Sequence, residues 1–69
     1  METKNKTIGQ YADVSFFDSV GRFKVSVETN QSSATETYVA KYEAEERYNS
    51  LEREEEVKQF LRDNGEEIL

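Results

Sequence analysis

The chain has 69 residues with no Cys, His, Trp or Pro, and 15 acidic side chains against 9 basic ones give it a formal net charge of −6. Lack of Cys and His removes disulfides, thiolate nucleophiles, imidazole bases and the usual zinc ligands. Two carboxylates could still act as acid and base, but that chemistry needs a cleft that so short a chain has little apolar material to build; the expectation is one domain that binds without catalysing and holds no cofactor or metal.

Met1 to Thr7 is polar and carries no apolar signal segment, and it reads as a mobile tail. No apolar run approaches the roughly 20 residues that cross a bilayer. A cytoplasmic protein is expected, in keeping with the absence of Cys.

Residues 10–29 read as an antiparallel β-hairpin. Phe23, Val25 and Val27 alternate with Arg22, Lys24, Ser26 and Glu28, while Ala12, Val14 and Phe16 alternate with Tyr11, Asp13, Ser15 and Phe17. Strict period two buries one face of a strand and wets the other. Asp18-Ser19-Val20-Gly21 supplies the turn. A three-residue loop with a Gly bulge would set Phe17 opposite Phe23, whereas the alternation wants Phe16 there; a four-residue loop or a further bulge would reconcile the two. Burial decides register, so the expected core is Val14, Phe16, Phe23, Val25 and Val27, with Phe17 outward beside Tyr11.

After the polar linker Asn30 to Ser33, Ser33 and Glu36 have the spacing of a capping box, and no Gly or Pro occurs from Thr35 to Arg62. Residues 34–63 read as a helical segment, stopped by Asn64-Gly65. Unbroken, it would be about 42 Å long. At 100° per residue it shows two apolar sectors. Tyr38, Val39 and Tyr42 share one with Val57, Phe60 and Leu61, interrupted by Glu46, Asn49 and Arg53. Ala40, Ala44, Tyr48 and Leu51 form the other, nearly opposite. One hairpin cannot cover both, so either the helix breaks near Asn49-Ser50 or a second subunit packs on the Ala40, Ala44, Tyr48 and Leu51 side. The fold class is α+β, a hairpin packed on one long or kinked C-terminal helix, with a short tail over residues 64–69.

Charge is unevenly distributed along these elements. Residues 1–34 are neutral, with four acids and four bases, whereas residues 35–69 carry eleven acids and five bases. That excess disfavours nucleic acid and anionic membrane as direct partners and favours a basic protein surface. Glu45, Glu52, Glu56 and Asp63 fall within about 40° of one another on the helical projection, with no cation between them, and span roughly 27 Å. Steps of about 6 and 10 Å along the row are comparable with the spacing of phosphates on a nucleic-acid strand. Glu55, Glu66 and Glu67 add charge at its distal end. By contrast, Glu43 precedes Arg47 and Glu54 precedes Lys58 by four residues, the favourable intrahelical pairing. Tyr38, Tyr42 and Tyr48 lie among Glu43, Glu45 and Glu46, which suits interface or core roles better than base stacking.

In size, in its lack of Cys, His, Trp and Pro, and in the row Glu45, Glu52, Glu56 and Asp63, the chain resembles small acidic phage-encoded proteins that disable host machinery. That type includes DNA-mimicking inhibitors of the nucleoid protein HU, uracil-DNA glycosylase inhibitors and anti-CRISPR proteins. The resemblance implies an inhibitor in the bacterial cytoplasm that occupies the nucleic-acid-binding surface of a basic host protein. The neutral N-terminal half departs from heavily acidic mimics. The alternative is a dimerisation or adaptor module that uses Ala40, Ala44, Tyr48 and Leu51 as its interface, with the acids serving solubility.

Overall fold

A computed structural model describes residues 2–10 and 12–65. The fold is α+β. Four strands, β1 (Thr3–Ile8), β2 (Ala12–Ser19), β3 (Arg22–Glu28) and β4 (Ser33–Tyr38), precede two helices, α1 (Lys41–Ser50) and α2 (Glu54–Asp63). The strands form one antiparallel sheet in the order β1-β2-β3-β4. Both helices pack on one face of this sheet, and the core lies between the layers.

The hairpin of residues 10–29 is present as β2 and β3, closed by a two-residue turn in which Val20 (φ 48°) and Gly21 (φ 77°) are both left-handed. Two positive φ values make this the primed turn whose twist suits a hairpin. It resolves the expected conflict of register without a bulge. Phe16 pairs with Val25 and Phe23 with Asp18. Phe16 and Phe23 thus share the inner face, their ring centroids 6.4 Å apart. Val14, Phe16, Val25 and Val27 are fully buried, and Phe23 packs against them. Phe17 lies on the open face between Thr3 and Lys24.

Three expectations are corrected. The first concerns the supposed tail, from which Thr3 to Thr7 form most of edge strand β1, paired with β2 from Thr3–Phe17 to Ile8–Ala12. Lys4 and Lys6 obscured its amphipathic pattern because both face the helices. Their stems lie along the core while the ammonium groups reach outward. Lys4 Nζ sits 5.4 Å from the Phe16 ring centroid and Lys6 Nζ 4.3 Å from that of Tyr48.

The second correction is at residues 33–38, which are a strand and not the first turns of a helix. Thr35 and Thr37 favour extended backbone, and they alternate with the inward residues Ala34, Glu36 and Tyr38. The spacing of Ser33 and Glu36 therefore caps nothing. The third is the single long helix, which is instead two helices of ten residues. The break falls at Leu51-Glu52-Arg53, just beyond the Asn49-Ser50 site. Ser50 Oγ donates to the Arg47 carbonyl at 2.7 Å and Leu51 N to the Tyr48 carbonyl at 3.2 Å, closing α1. Glu56 Oε1 then accepts from the backbone N–H groups of Glu52 (3.0 Å) and Arg53 (2.9 Å), opening α2.

The break re-aims the chain so that both apolar helical sectors meet the same sheet. Ala44, Tyr48 and Leu51 from one, and Val57, Phe60 and Leu61 from the other, join Ile8, Ala12, Val14, Phe16, Val25 and Val27 in a single core. Val39 and Tyr42, expected in the second group, are exposed. The opposite face of the sheet is open and polar. Thr3, Asn5 and Thr7 of β1 lie beside Phe17, Ser15 and Asp13 of β2, then Lys24, Ser26 and Glu28 of β3, then Thr37, Thr35 and Ser33 of β4.

Candidate acidic interface

The helical layer concentrates the acidic excess. From Lys41 to Asp63 there are eight acidic and five basic side chains. The break at residues 51–53 removes the straight row on which Glu45, Glu52, Glu56 and Asp63 were expected to align, and three of these four carboxylates are engaged within the fold. Glu45 meets Lys4 of β1 at 3.3 Å. Glu56 is the acceptor that caps α2. Asp63 accepts from Gln59 at 2.8 Å and from Arg47 at 3.4 Å. Glu52 is exposed in the connector between the helices and Glu55 is exposed in the first turn of α2. Glu66 and Glu67 lie outside the described residues.

The carboxylates assigned by spacing to intrahelical pairs are the ones left over. Arg47 turns away from Glu43 to bind Glu36 and Asp63, and Glu54 packs its carboxylate against Gly9 in the β1–β2 turn instead of pairing with Lys58. Among the described residues, Glu43, Glu46, Glu52, Glu54 and Glu55 make no ion pair. Glu43 and Glu46 are exposed on the outer side of α1, away from Ala44 and Tyr48. Glu43 and Glu46 lie beside Tyr38 and Arg47, whereas Glu52 and Glu55 stand on the connector and the first turn of α2. Lys6 of β1 feels this end of the layer. Burial lowers its pKa, and the charges of Glu52 and Glu56 oppose that shift.

The second expected interface is not a surface. Ala44, Tyr48 and Leu51 are 0%, 7% and 1% exposed and pack on the chain's own sheet, while Ala40 is half-buried ahead of α1. This face required covering, and the sheet, chiefly β2, β3 and β4, supplies the cover that a second subunit would otherwise provide.

A polar cluster centred on Glu36 lies outside the expected sites, because residues 34–38 fall in the expected helical segment 34–63. Arg47 Nε and Nη2 donate to Glu36 Oε1 and Oε2 at 2.9 and 3.2 Å, Asn64 Nδ2 donates to Oε2 at 2.8 Å, and the Tyr38 hydroxyl donates to Oε1. The Arg47 guanidinium also lies 4.7 Å from the Phe60 ring centroid. Burial pushes the Glu36 pKa up, but the donors from Arg47, Tyr38 and Asn64 outweigh it and hold the carboxyl below its ordinary 4.5. Burial and the neighbouring carboxylate push Tyr38 up to about 12. Two-pronged arginine–carboxylate geometry is both strong and directional, so this cluster clamps β4, α1 and the end of α2 together. The alternating Thr35 and Thr37 were the available signal for it.

Among the described residues, no group of three or more acidic side chains is arranged to hold a metal ion, and no helix is long and apolar enough to cross a membrane. No protein-family model, curated protein or solved structure matches the chain.

Proposed function

We propose that this protein is an inhibitor that binds the basic, nucleic-acid-binding surface of another protein and keeps nucleic acid off it. The observation that supports this reading is the group of unpaired carboxylates, Glu43, Glu46, Glu52 and Glu55, exposed on the helical layer, where Arg47 is drawn inward while Lys41, Arg53 and Arg62 stay exposed beside them. Lys4, Lys6 and Arg47 are tied to core rings, to the Tyr48 carbonyl and to the carboxylates of Glu45, Glu36 and Asp63. With eight acids against five bases from Lys41 to Asp63 and Arg47 turned inward, the helical layer presents a net negative field to a partner. Carboxylates distributed over two short helices replace the straight row of phosphate-like charges expected from the sequence.

Charge complementarity of this kind steers association and weakens as salt rises. Immobilised protein should therefore retain basic nucleic-acid-binding proteins from a nuclease-treated bacterial lysate at low salt and release them at high salt. Retention of neutral partners, or retention indifferent to salt, would contradict the proposal.

A further inference from the structure

The two edges of the sheet are protected to different degrees. Edge strands expose unpaired N–H and C=O groups, and inward-pointing charges or Pro commonly block their pairing with another chain. β1 has two such charges, Lys4 and Lys6, held inward over Phe16 and Tyr48. β4 has one, Glu36. Its sequence Ser-Ala-Thr-Glu-Thr-Tyr contains no Lys, Arg or Pro, and its one carboxylate, Glu36, is bound by Arg47, Tyr38 and Asn64. Ser33, Thr35 and Thr37 are exposed on the open face. Extension continues beyond the strand, since Ala40 is extended at φ −97° and ψ 131°, and Val39 is 74% exposed. Among the described residues, the backbone groups that β4 turns away from β3 have no hydrogen-bond partner in the fold.

We propose that this edge pairs with β4 of a second copy of the chain, antiparallel about a twofold axis at Thr35, to form one continuous eight-stranded sheet. Self-complementarity of the strand is the reason for choosing a second copy. A twofold normal to the sheet keeps both helical layers on one side and requires residues of the same face to oppose one another. Centred on Thr35, it sets Thr35 against Thr35 and Ser33 against Thr37 on the open face, hydroxyl facing hydroxyl. Inside, it sets Ala34 against Glu36. Thr–Thr pairs are favourable across strands and like charges are not. The neighbouring register, centred on Glu36, would set two carboxylates against each other. A 69-residue domain buries a modest share of its surface alone, and edge pairing extends its sheet without opening its core. Each copy carries a formal charge of −6, so this contact tightens with added salt, opposite in sign to capture of a basic partner.

Sedimentation equilibrium over a wide range of concentration and salt tests the proposal, with Thr35→Lys and Thr35→Glu as variants. Thr35 is exposed on the face away from the helices, so neither change reaches the core. Expected results are a wild-type monomer–dimer equilibrium that shifts to dimer as salt rises, a dissociation constant about tenfold or more weaker for each variant alone, and recovery of the dimer when the two variants are mixed. A wild-type chain that stays monomeric, a dimer that neither variant weakens, or a mixture that fails to re-form the dimer would overturn it. Hydrogen exchange on the wild-type chain gives an independent reading should either variant misfold. Amides of β4 should gain protection as protein concentration increases, and concentration-independent exchange there would count against edge pairing.

Discussion

Arg47 of α1 holds Glu36 of β4 with two parallel donors, Nε to Oε1 at 2.9 Å and Nη2 to Oε2 at 3.2 Å, while both side chains remain less than one-third exposed. This pair joins an edge strand to the helical layer and removes the cation that would otherwise neutralise Glu43. Replacing Arg47 with Met keeps the apolar contact on Phe60 but leaves Glu36 with only Tyr38 and Asn64. The expected loss is about 2 kcal/mol, in the range for hydrogen bonds to charged groups, measured by urea denaturation.

Acid should expose the same pair. The folded-state pKa of Glu36 lies below its ordinary 4.5, so its stabilisation is fully present above that value and is lost as pH falls through the folded pKa. Arg47→Met should flatten this part of the stability profile, and an unchanged acid limb would show that Glu36 is not responsible for it. At the alkaline end, Tyr38 has its pKa raised from 10.0 to about 12. Stability tied to its hydroxyl is present below 10 and declines as pH climbs towards 12, and ultraviolet titration should show Tyr38 ionising late, along with Tyr48, whose pKa burial also raises.

Val20 is a β-branched residue with φ 48° at the tip of the β2–β3 hairpin, 99% exposed. Left-handed backbone costs such a residue roughly 1–2 kcal/mol, a cost Gly avoids and Asn reduces. Val20→Asn should therefore raise the melting temperature by several degrees, about 4–8 °C per kcal/mol for a domain of this size, with the hairpin register unchanged.

Glu56→Ala should destabilise α2 by about 1 kcal/mol, because it removes the acceptor for the N–H groups of Glu52 and Arg53. The change should appear as faster amide exchange at those residues. Glu55→Ala, one residue earlier and exposed, should leave stability within about 0.5 kcal/mol of the starting chain.

Gly9 has φ 65°, and a Cβ there would collide with the Glu54 carboxylate. Gly9→Ala should cost about 1–2 kcal/mol from backbone strain and displace Glu54. Pairing Gly9→Ala with Glu54→Ala should recover the steric part alone, which a double-mutant cycle would measure.

The central hairpin could be read from the chain because period-two burial is a local pattern, and Val14, Phe16, Val25 and Val27 declare it without reference to anything distant. The edge strands were harder. Lys4 and Lys6 look like solvated charges until the aromatic surface beneath them is known, and Ser33 with Glu36 copies the spacing of a helix start. The straight alignment of the acidic row was lost in a more instructive way. Helical projection assumes a straight axis, and the break at Leu51 rotates α2 relative to α1. Intrahelical pairing of Glu43 with Arg47 is worth tenths of a kcal/mol, so a two-pronged contact with Glu36 readily displaces it. Which carboxylates are free is thus decided by long-range partners that spacing along one helix does not reveal.

The acidic helical layer is tested most directly by two reversals of equal charge on opposite faces. One variant carries Glu46→Lys and Glu55→Lys, on the outer side of α1 and in the first turn of α2. The other carries Asp13→Lys and Glu28→Lys, on the open face of the sheet. Low-salt capture from a nuclease-treated lysate, followed by elution with duplex DNA, compares them with the unmodified chain. Loss of capture in the first variant alone, with DNA displacing what the other two proteins retain, is the predicted result. Equal loss in both variants would reduce the effect to net charge, and undiminished capture by the Glu46 and Glu55 variant would contradict the assignment of the helical layer as the binding surface.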